Sequence, residues 1–192
     1  MNAPVAISRA AEGYDRKAWT VAEIQAMQRA GLIDQKWPYE LIEGELIPKM
    51  ASKNNPHEMW KHWLDRFLQR GLPDHIAASV EPTLYLDEAT YVEPDILVRP
   101  YDILPSDVRG GDVLLAVEIS DTTLRYDLNL KAQIYARFGV RHYWVLDAEK
   151  ERLFAHSQPT EAGYAEVAEL GPEAVLTLPF EPALSFTLRQ FG

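Results

Sequence analysis

The sequence contains no cysteine, and that absence excludes several kinds of site. Disulfide bridges, zinc sites with thiolate ligands and cysteine nucleophiles all need a thiol. A metal site in this chain would therefore have to use oxygen or nitrogen ligands. The missing cysteines also fit a cytoplasmic location, which we expect for this protein.

Long apolar runs are missing as well. No stretch approaches the roughly 18 consecutive apolar residues that a membrane-spanning helix needs. The first residues, "MNAPVAISRAAEGYDRK", carry their charges after a short, mildly apolar patch, which is the reverse of the order in a secretory signal. We therefore expect no membrane partner.

Positive charge is scarce overall. Lys and Arg number 19 against 29 Asp and Glu, and the formal net charge of −10 argues mildly against a general nucleic-acid binder. Residues 125–141 depart from this balance, because this segment has one acid, Asp127, and four bases: Arg125, Lys131, Arg137 and Arg141. Two interpretations stay open, a local basic patch and an ordinary solvated helix face.

Apolar residues, by contrast, are plentiful enough for a sizeable core. The 192 residues are 47% hydrophobic and include five tryptophans. No internal repeat or low-complexity linker divides the chain. We therefore predict an N-terminal extension over residues 1–19 and a single domain over residues 20–192.

Capping residues and periodicity predict three helices. Thr20 and Glu23 form a capping box for a helix that ends near residue 30. A second helix begins near Pro56, a favoured residue in a first turn, and runs to Arg70. A third covers residues 128–138, with Gly139 after it.

Strands are predicted between and around these helices. "YELIEGELIP" is typical of two short strands that turn at Glu43-Gly44, and "ASVEPTLYL", "VEPDILV", "VLLAVEIS" and "HYWVLD" follow. The strand that ends in "VEIS" is apolar on both faces, which favours a central position. Together with the next helix and "HYWVLD" it forms a βαβ unit, so those two strands should be parallel. From Arg152 onward we expect short strands, and the whole is predicted to be an α/β sheet with β elements added at both ends.

Two acids stand where apolar residues would suit a buried sheet. Glu118 ends the most apolar strand, and Asp95 ends the segment "VEPD", where Pro94 favours an edge or a bulge. A buried carboxylate normally has a partner or a metal. The two acids could share one Mg²⁺ with a backbone carbonyl as third oxygen ligand, or each could merely cap a loop or pair with an arginine.

Lys131 lies in the helix directly after the Glu118 strand. Asp127, Lys131 and Tyr135 are spaced by four, so they share one helical face. An exposed Asp127–Lys131 pair is one interpretation. The other is that a helix packed on the sheet aims the lysine at the strand ends, and two acids, a metal and a lysine would hydrolyse a phosphodiester.

Several segments carry a resemblance to a known family: "EPDILV", "LLAVEISDTTLRYDLNLKAQIYARFGVRHYWVLD", "YELIEGELIP", Pro56-His57 and the closing "ALSFTL". From about Thr20 to Phe191 the chain resembles a bacterial "putative restriction endonuclease" family with the PD-(D/E)XK nuclease fold. The resemblance implies a restriction-endonuclease-like mixed sheet core with the order αβββαβ.

The resemblance also implies roles for individual residues. Pro94-Asp95 matches the PD element and Glu118 the second acid, and the carbonyl of Ile119 would complete the metal ligands. The general motif places lysine two residues after the second acid, where this chain has Ser120. Within the family the lysine appears in the following helix, and Lys131 matches it.

Supporting residues follow from the same resemblance. Glu40 and His57 match recurring positions, and His57 could orient a water or phosphate or simply satisfy local hydrogen bonds. Ser120 and Tyr135 would support the site through their hydroxyl groups. The implied activity is an Mg²⁺- or Mn²⁺-dependent endonuclease acting on nucleic acid, with DNA as the favoured substrate and a homodimer as the expected assembly. Two alternatives stay open: a catalytically silent binding or assembly module, and a hydrolase of another phosphate ester.

Overall fold

The computed structural model describes residues 17–33, 39–49 and 55–191. Residues 1–16 of the predicted N-terminal extension lie outside the described residues. No helix in these described ranges has the length and apolar character needed to cross a membrane.

The helices agree with the capping and periodicity signals. α1 begins after Thr20, whose side chain accepts a hydrogen bond from the backbone of Glu23 while the Glu23 carboxylate accepts one from the Thr20 backbone. The third predicted helix begins four residues earlier than expected and contains a π-helical turn. The helical segments are α1 (Val21–Arg29), α2 (Asn55–Gly71), α3 (Leu124–Tyr126), the π-helical turn (Asp127–Lys131) and α4 (Ala132–Arg137), with short 3₁₀ turns at Gly110–Asp112 and Leu188–Gln190.

The strands form a six-stranded sheet, a four-stranded sheet and a separate hairpin. The first has the order β10-β9-β8-β7-β6-β3, the second β2-β1-β5-β4, and β11 pairs with β12. Their bounds are β1 (Tyr39–Ile42), β2 (Glu45–Pro48), β3 (Ile76–Val80), β4 (Leu84–Asp87), β5 (Thr90–Val92), β6 (Ile96–Pro100), β7 (Leu115–Ser120), β8 (His142–Asp147), β9 (Arg152–Thr160), β10 (Gly163–Leu170), β11 (Leu176–Leu178) and β12 (Glu181–Phe186).

The predicted βαβ unit is confirmed. β7 and β8 are parallel, with Glu118 opposite Val145, and the helical segments α3 to α4 connect them. β7 lies between β8 and β6, and all six of its residues are buried. This central position explains why the strand is apolar on both faces.

Two of the predicted strands are each divided between sheets. "ASVEPTLYL" supplies β3 to the six-stranded sheet and β4 to the four-stranded sheet, and "VEPDILV" covers the end of β5 and the start of β6. Pro82 and Pro94 stand at these two breaks, where proline interrupts pairing because it has no N–H to donate. Pro94 favours an edge or a bulge, and of these two expectations the edge is wrong, since β6 lies between β7 and β3.

Two apolar cores cover the two faces of the six-stranded sheet. On one face, Trp60, Leu64 and Leu68 of α2 pack with Val117 and its neighbours. On the other, Ala132, Ile134 and Tyr135 of α4 pack with Ala116 and the residues around it. Since side chains alternate along a strand, residues in step with Ala116 face α4.

The C-terminal strands are longer than expected. β9 has nine residues and β10 has eight, and they extend the six-stranded sheet beyond β8 as an antiparallel hairpin. The prediction of short strands from Arg152 onward therefore holds only for β11 and β12.

Gly110 marks a close approach between the 3₁₀ turn and the end of α4. A Cβ atom at this position would overlap the carbonyl oxygen of Phe138, whereas a Cβ on the neighbouring Gly111 would meet nothing within 4 Å. We expect Gly110→Ala to lower the free energy of unfolding by about 1–3 kcal/mol, because backbone must move to relieve the overlap. Urea unfolding of the two alanine variants measures this, and equal stabilities for Gly110→Ala and Gly111→Ala would contradict it.

Candidate active site

Asp95 and Glu118 come together at one end of neighbouring antiparallel strands. The β6–β7 register ends with Ile96 opposite Val117, so Asp95, directly before β6, adjoins Glu118, and the charge of Asp95 acts on the Glu118 carboxyl. Glu118 contacts Lys131 on the α4 face, whereas the Asp95 carboxylate reaches His57 of α2. The Asp95 carboxylate accepts a hydrogen bond from the backbone amide of Ile119 at 2.7 Å. Asp95 therefore stands at the start of β6, and because β6 and β7 are antiparallel this start adjoins the end of β7.

Lys131 joins three parts of the fold through its ammonium group. Nζ lies 2.7 Å from Oε1 of Glu118 in β7 and 2.8 Å from Oε1 of Glu40 in β1. The three side chains are 96% buried or more. The interpretation of Lys131 as half of an exposed pair with Asp127 is therefore wrong, and the helix face that carries it packs against the sheet.

Tyr135 and Glu40 have further hydrogen bonds around the contact between Lys131 and Glu118. The Tyr135 hydroxyl donates to Oε1 of Glu118 at 2.9 Å, so Lys131 and Tyr135 converge on one carboxylate oxygen. Glu40 also accepts a hydrogen bond from the backbone amide of Glu93 at 2.8 Å. Each donor stabilises the ionised form of the carboxylate that it contacts.

Asp127 has partners of its own. Its Oδ2 accepts hydrogen bonds from the hydroxyls of Ser120 at 2.6 Å and Thr123 at 2.7 Å, and its backbone carbonyl accepts one from Tyr143. These bonds tie the end of β7 to the helix that carries Lys131. Ser120, at the position where the general motif has lysine, therefore contacts the supporting helix.

The π-helical turn, Asp127–Lys131, lies between these two sets of contacts. A π-helical turn closes i→i+5 hydrogen bonds, one residue more than an α-helical turn, and such turns are frequent at functional sites. The turn lets Asp127 reach the hydroxyls of Ser120 and Thr123 while Lys131 reaches Glu118, and Asp127 and Lys131 are both buried. The spacing of Asp127, Lys131 and Tyr135 by four residues predicted a regular α-helix and not this π-helical turn.

His57 approaches Asp95 from α2. Its Nε2 lies 3.3 Å from Oδ2 of Asp95 and its Nδ1 lies 3.3 Å from Oε1 of Glu58. Glu58 also pairs with Lys61, which in turn pairs with Glu81 at the end of β3. The start of α2 thus holds a chain of alternating charges that ends on Asp95.

These contacts set the charges in the site. Burial opposes ionisation of Asp95, but the contact with His57 and the Ile119 amide bring the pKa of its carboxyl below the usual value. Burial would also lower the pKa of His57, but the hydrogen bond to Asp95, the negative charge of Asp95 and the contact with Glu58 together outweigh burial and raise it. Asp95 is therefore ionised near neutral pH.

Glu118 and Lys131 shift each other's pKa in opposite directions. Burial raises the pKa of Glu118 to about 8, and the positive charge of Lys131 works against that rise. Burial would lower the pKa of Lys131, but Glu118 and Glu40 hold it well above the usual value. A proton on Glu118 would remove part of the charge that stabilises Lys131. The 2.7 Å contact and the second partner, Glu40, favour a charged Lys131.

The possible metal ligands on the side of the site nearest β6 are oxygen atoms. Among the described residues, no three side chains of His, Cys, Asp or Glu gather into a group that could hold a metal ion. The predicted set of metal ligands differs from such a side-chain group, because it consists of two carboxylates and the backbone carbonyl of Ile119. The N–H of Ile119 points to Asp95, and in an extended strand the carbonyl of a residue points to the same side as its N–H. An all-oxygen donor set of this kind suits Mg²⁺.

The predicted basic patch over residues 125–141 is smaller than the sequence indicated. Lys131 is buried, so it does not belong to this surface. Arg137 is exposed and pairs with Glu43. Arg125 and Arg141 are exposed as well. The patch therefore consists of three arginines, one of which already has an acidic partner.

Three contributions were missed by reasoning on the sequence. Lys61 pairs with two acids beside His57, Thr123 binds Asp127, and Glu93 places Glu40 through its backbone amide. The helical spacing of His57 and Lys61 by four was a readable signal for the first. The other two depend on backbone paths that spacing does not reveal.

Comparison with known proteins decides the family. Residues 21–189 match the family model Uma2, described as "Putative restriction endonuclease". The chain belongs to this family. The match spans nearly all of the described residues, and it confirms the resemblance found in the segments around Asp95, Glu118 and Lys131.

A solved structure supports the same fold. The chain is similar to the crystal structure of a "putative nuclease belonging to DUF820" from Anabaena variabilis ATCC 29413, with a TM-score of 0.72 and 16% sequence identity. The similarity covers 90% of this chain and 96% of that one. No curated protein matches the chain. The restriction-endonuclease-like fold predicted for this Uma2 member is therefore confirmed.

The buried ion pairs of Lys131 lead to a stability prediction. We expect Lys131→Met to lower the free energy of unfolding by about 3–5 kcal/mol near neutral pH, because Glu118 and Glu40 lose a cation that they cannot replace with water. Arg137→Met is the control, since its pair with Glu43 is exposed and such pairs contribute about 0–1 kcal/mol. Urea unfolding of both variants provides the measurement.

The loss in Lys131→Met should grow as the solution becomes alkaline. Burial raises the pKa of Glu118 to about 8 even beside Lys131, and removal of the ammonium group should raise it further. Above that pH the folded wild type ionises Glu118 and the folded variant does not, so the difference in the free energy of unfolding should be larger at about pH 9.5 than at about pH 7. Urea unfolding at the two pH values provides the measurement, and an equal loss at both would show that the ionisation of Glu118 does not depend on Lys131.

Proposed function

We propose that this Uma2 member is a metal-dependent nuclease that hydrolyses phosphodiester bonds, with Mg²⁺ or Mn²⁺ as cofactor. The observation that carries the proposal is the meeting of two buried carboxylates, Asp95 directly before β6 and Glu118 near the end of β7, with Lys131 bonded to Glu118. Membership of a family described as "Putative restriction endonuclease" supports the same activity.

Asp95, Glu118 and the carbonyl of Ile119 would hold the metal ion. A bound Mg²⁺ supplies a water of lowered pKa and positive charge beside the scissile phosphate. Asp95 is suited to this role because it is ionised and its Oδ2 is fixed by the Ile119 amide and His57. Glu118 is fixed through Oε1 by Lys131 and Tyr135, and its second oxygen receives neither of those bonds.

The other side chains would position the metal ligands and the attacking water, and would offset negative charge on the phosphate. Lys131 places positive charge next to Glu118 and could orient the attacking water or offset charge on the phosphate. Tyr135 and Glu40 hold Lys131 and Glu118 in place. Ser120 supports the helix through Asp127, and His57 orients Asp95 from α2.

DNA as the substrate and a homodimer as the assembly are further parts of the proposal. Both rest on the family resemblance. Cleavage assays on DNA and RNA, each as duplex and as single strand, test the substrate. Sedimentation of the purified protein tests the assembly.

The metal site is tested with Asp95→Asn, Glu118→Gln and Lys131→Ala. The two carboxylate variants should lose Mn²⁺ binding in calorimetry and lose Mg²⁺-dependent cleavage, because each removes a charged ligand. Lys131→Ala should keep measurable Mn²⁺ binding and lose about 10²–10³ in cleavage rate, the usual effect of one electrostatic contact to the transition state. Glu173→Gln, an exposed carboxylate paired with Arg189, is the control.

Two results would contradict these assignments. Full Mn²⁺ affinity in both carboxylate variants would reject Asp95 and Glu118 as ligands. Full cleavage by Lys131→Ala, alongside loss of cleavage in Asp95→Asn, would reject Lys131 as the displaced lysine of the family motif.

A second candidate is a nuclease-fold binding module without turnover. The observation in its favour is that Lys131 is already neutralised by Glu118 and Glu40, and that no three-residue metal group exists among the described residues. A protein that binds nucleic acid and cleaves none of the four substrates with Mg²⁺ or Mn²⁺ would support it. Hydrolysis of a small phosphodiester alone would favour a different phosphate ester as substrate.

Binding to nucleic acid should depend on salt through Arg125 and Arg141. Each phosphate contact releases counterions, and on duplex DNA contributes about 0.9 to the slope of log affinity against log salt concentration. We expect Arg125→Ala/Arg141→Ala to bind more weakly and to show a slope smaller by about 1–2. Fluorescence anisotropy at several salt concentrations measures it. An unchanged slope would place the nucleic acid elsewhere on the surface.

A further inference from the structure

The hydroxyl oxygen of Tyr126 is buried and has no hydrogen-bond partner among the described residues. Such groups are rare in folded proteins because an unpaired buried hydroxyl costs free energy, so each calls for an explanation. The hydroxyl of Tyr91 is in the same condition. The charge of Glu40 acts on both hydroxyls, and their other charged neighbours differ.

Tyr126 packs against the apolar core on the α4 face of the sheet, the face on which Lys131 contacts Glu118. Burial, together with the nearby negative charge of Glu40, raises the pKa of the Tyr126 hydroxyl, and the charges of Lys131, Asp127 and Glu118 also act on it. The hydroxyl therefore keeps its proton at neutral pH and is available as a donor. Tyr91 packs with Ile24 and Leu41 in a separate apolar cluster, and the groups whose charges act on its hydroxyl are Glu93, Tyr85 and Glu40.

The π-helical turn explains how Tyr126 and Lys131 approach the same place. Residues five apart in a regular α-helix are separated by about 140° around the axis, which would point them to different sides. The turn at Asp127–Lys131 has i→i+5 hydrogen bonds, so residues five apart come much closer to alignment. Tyr126 directly precedes the turn and Lys131 ends it.

The hydroxyl groups of the neighbouring tyrosines, unlike that of Tyr126, have hydrogen-bond partners. Tyr135 donates to Glu118, and Tyr143 donates to the backbone carbonyl of Asp127. Within the described residues, Tyr126 is thus the tyrosine beside Lys131 and Glu118 whose hydrogen is not used by the protein. A donor left unused in a site full of carboxylates is suited to an anionic ligand that arrives from outside.

We propose that the Tyr126 hydroxyl donates a hydrogen bond to a non-bridging oxygen of the bound phosphodiester, which makes it a further catalytic residue. This proposal rests on the proposed nuclease function. A neutral donor is useful here because it stabilises oxygens that gain negative charge in the transition state without adding a cation that Glu40 and Glu118 would capture.

Tyr126→Phe tests the proposal because it removes only the hydroxyl. The cleavage rate should fall by about 10², the scale expected for one donor to a developing negative charge. Affinity for a fluorescein-labelled oligonucleotide in EDTA should fall by about 10- to 100-fold, as for a hydrogen bond to a charged group. The Tm should stay the same or rise, because no hydrogen bond within the protein is lost.

Tyr164→Phe is the matched control. Its hydroxyl donates to the carbonyl of Val140 at 2.8 Å, away from the candidate active site. Its loss should lower the Tm by about 2–4 °C and leave both cleavage and binding unchanged. The two variants should therefore show opposite patterns, activity lost without stability in one and stability lost without activity in the other.

The outcomes separate this proposal from the nuclease function. Wild-type cleavage and binding that Tyr126→Phe retains in full would overturn the role of Tyr126 and leave the nuclease function standing. A Tm loss in Tyr126→Phe as large as that in Tyr164→Phe, with equal cleavage, would assign it a structural role. A wild type that binds without cleaving would overturn the nuclease function, while the binding comparison would still decide whether Tyr126 contacts the phosphate.

Discussion

The contact between Lys131 and the two carboxylates of Glu118 and Glu40 is the interaction on which the rest of the site depends. It joins the helix after β7 to the six-stranded sheet through Glu118 and to the four-stranded sheet through Glu40. Three charges in the interior are costly unless they neutralise one another, so the relative placement of these elements is strongly constrained. Removal of one partner leaves a buried charge, whereas an apolar core would tolerate small displacements.

The antiparallel pairing of β6 with β7 provides the second constraint. It places the start of one strand beside the end of the other, so Asp95 and Glu118 meet although 22 residues separate them along the chain. Each acid is then supported from a different side. His57 of α2 contacts Asp95, and Lys131 of the opposite layer contacts Glu118. The same sheet thus keeps an ionised carboxylate next to one that holds a proton more readily.

Much of the fold and part of the site could be predicted from the sequence. The capping box at Thr20, the apolar strand before Glu118 and the parallel βαβ unit are local signals that the structure confirms. The splitting of "ASVEPTLYL" and "VEPDILV" between sheets could not be predicted, because a proline shows where pairing stops and not which sheet receives the next strand. Periodicity likewise put Asp127 and Lys131 on one face, but it could not reveal the π-helical turn or their separate partners.

Burial of Lys131 also changes how the chain's charge relates to nucleic acid. A surface lysine would have added to the basic patch, whereas the buried one acts only within the site. The protein has a net charge of −10, and of the four bases in residues 125–141 the described structure exposes Arg125, Arg137 and Arg141, of which Arg137 pairs with Glu43. Long-range attraction of a polyanion is weak under these conditions, since exposed charges are screened within about 8–10 Å at physiological salt. Affinity for substrate must therefore arise mostly from contacts made inside the site, where low exposure strengthens each hydrogen bond.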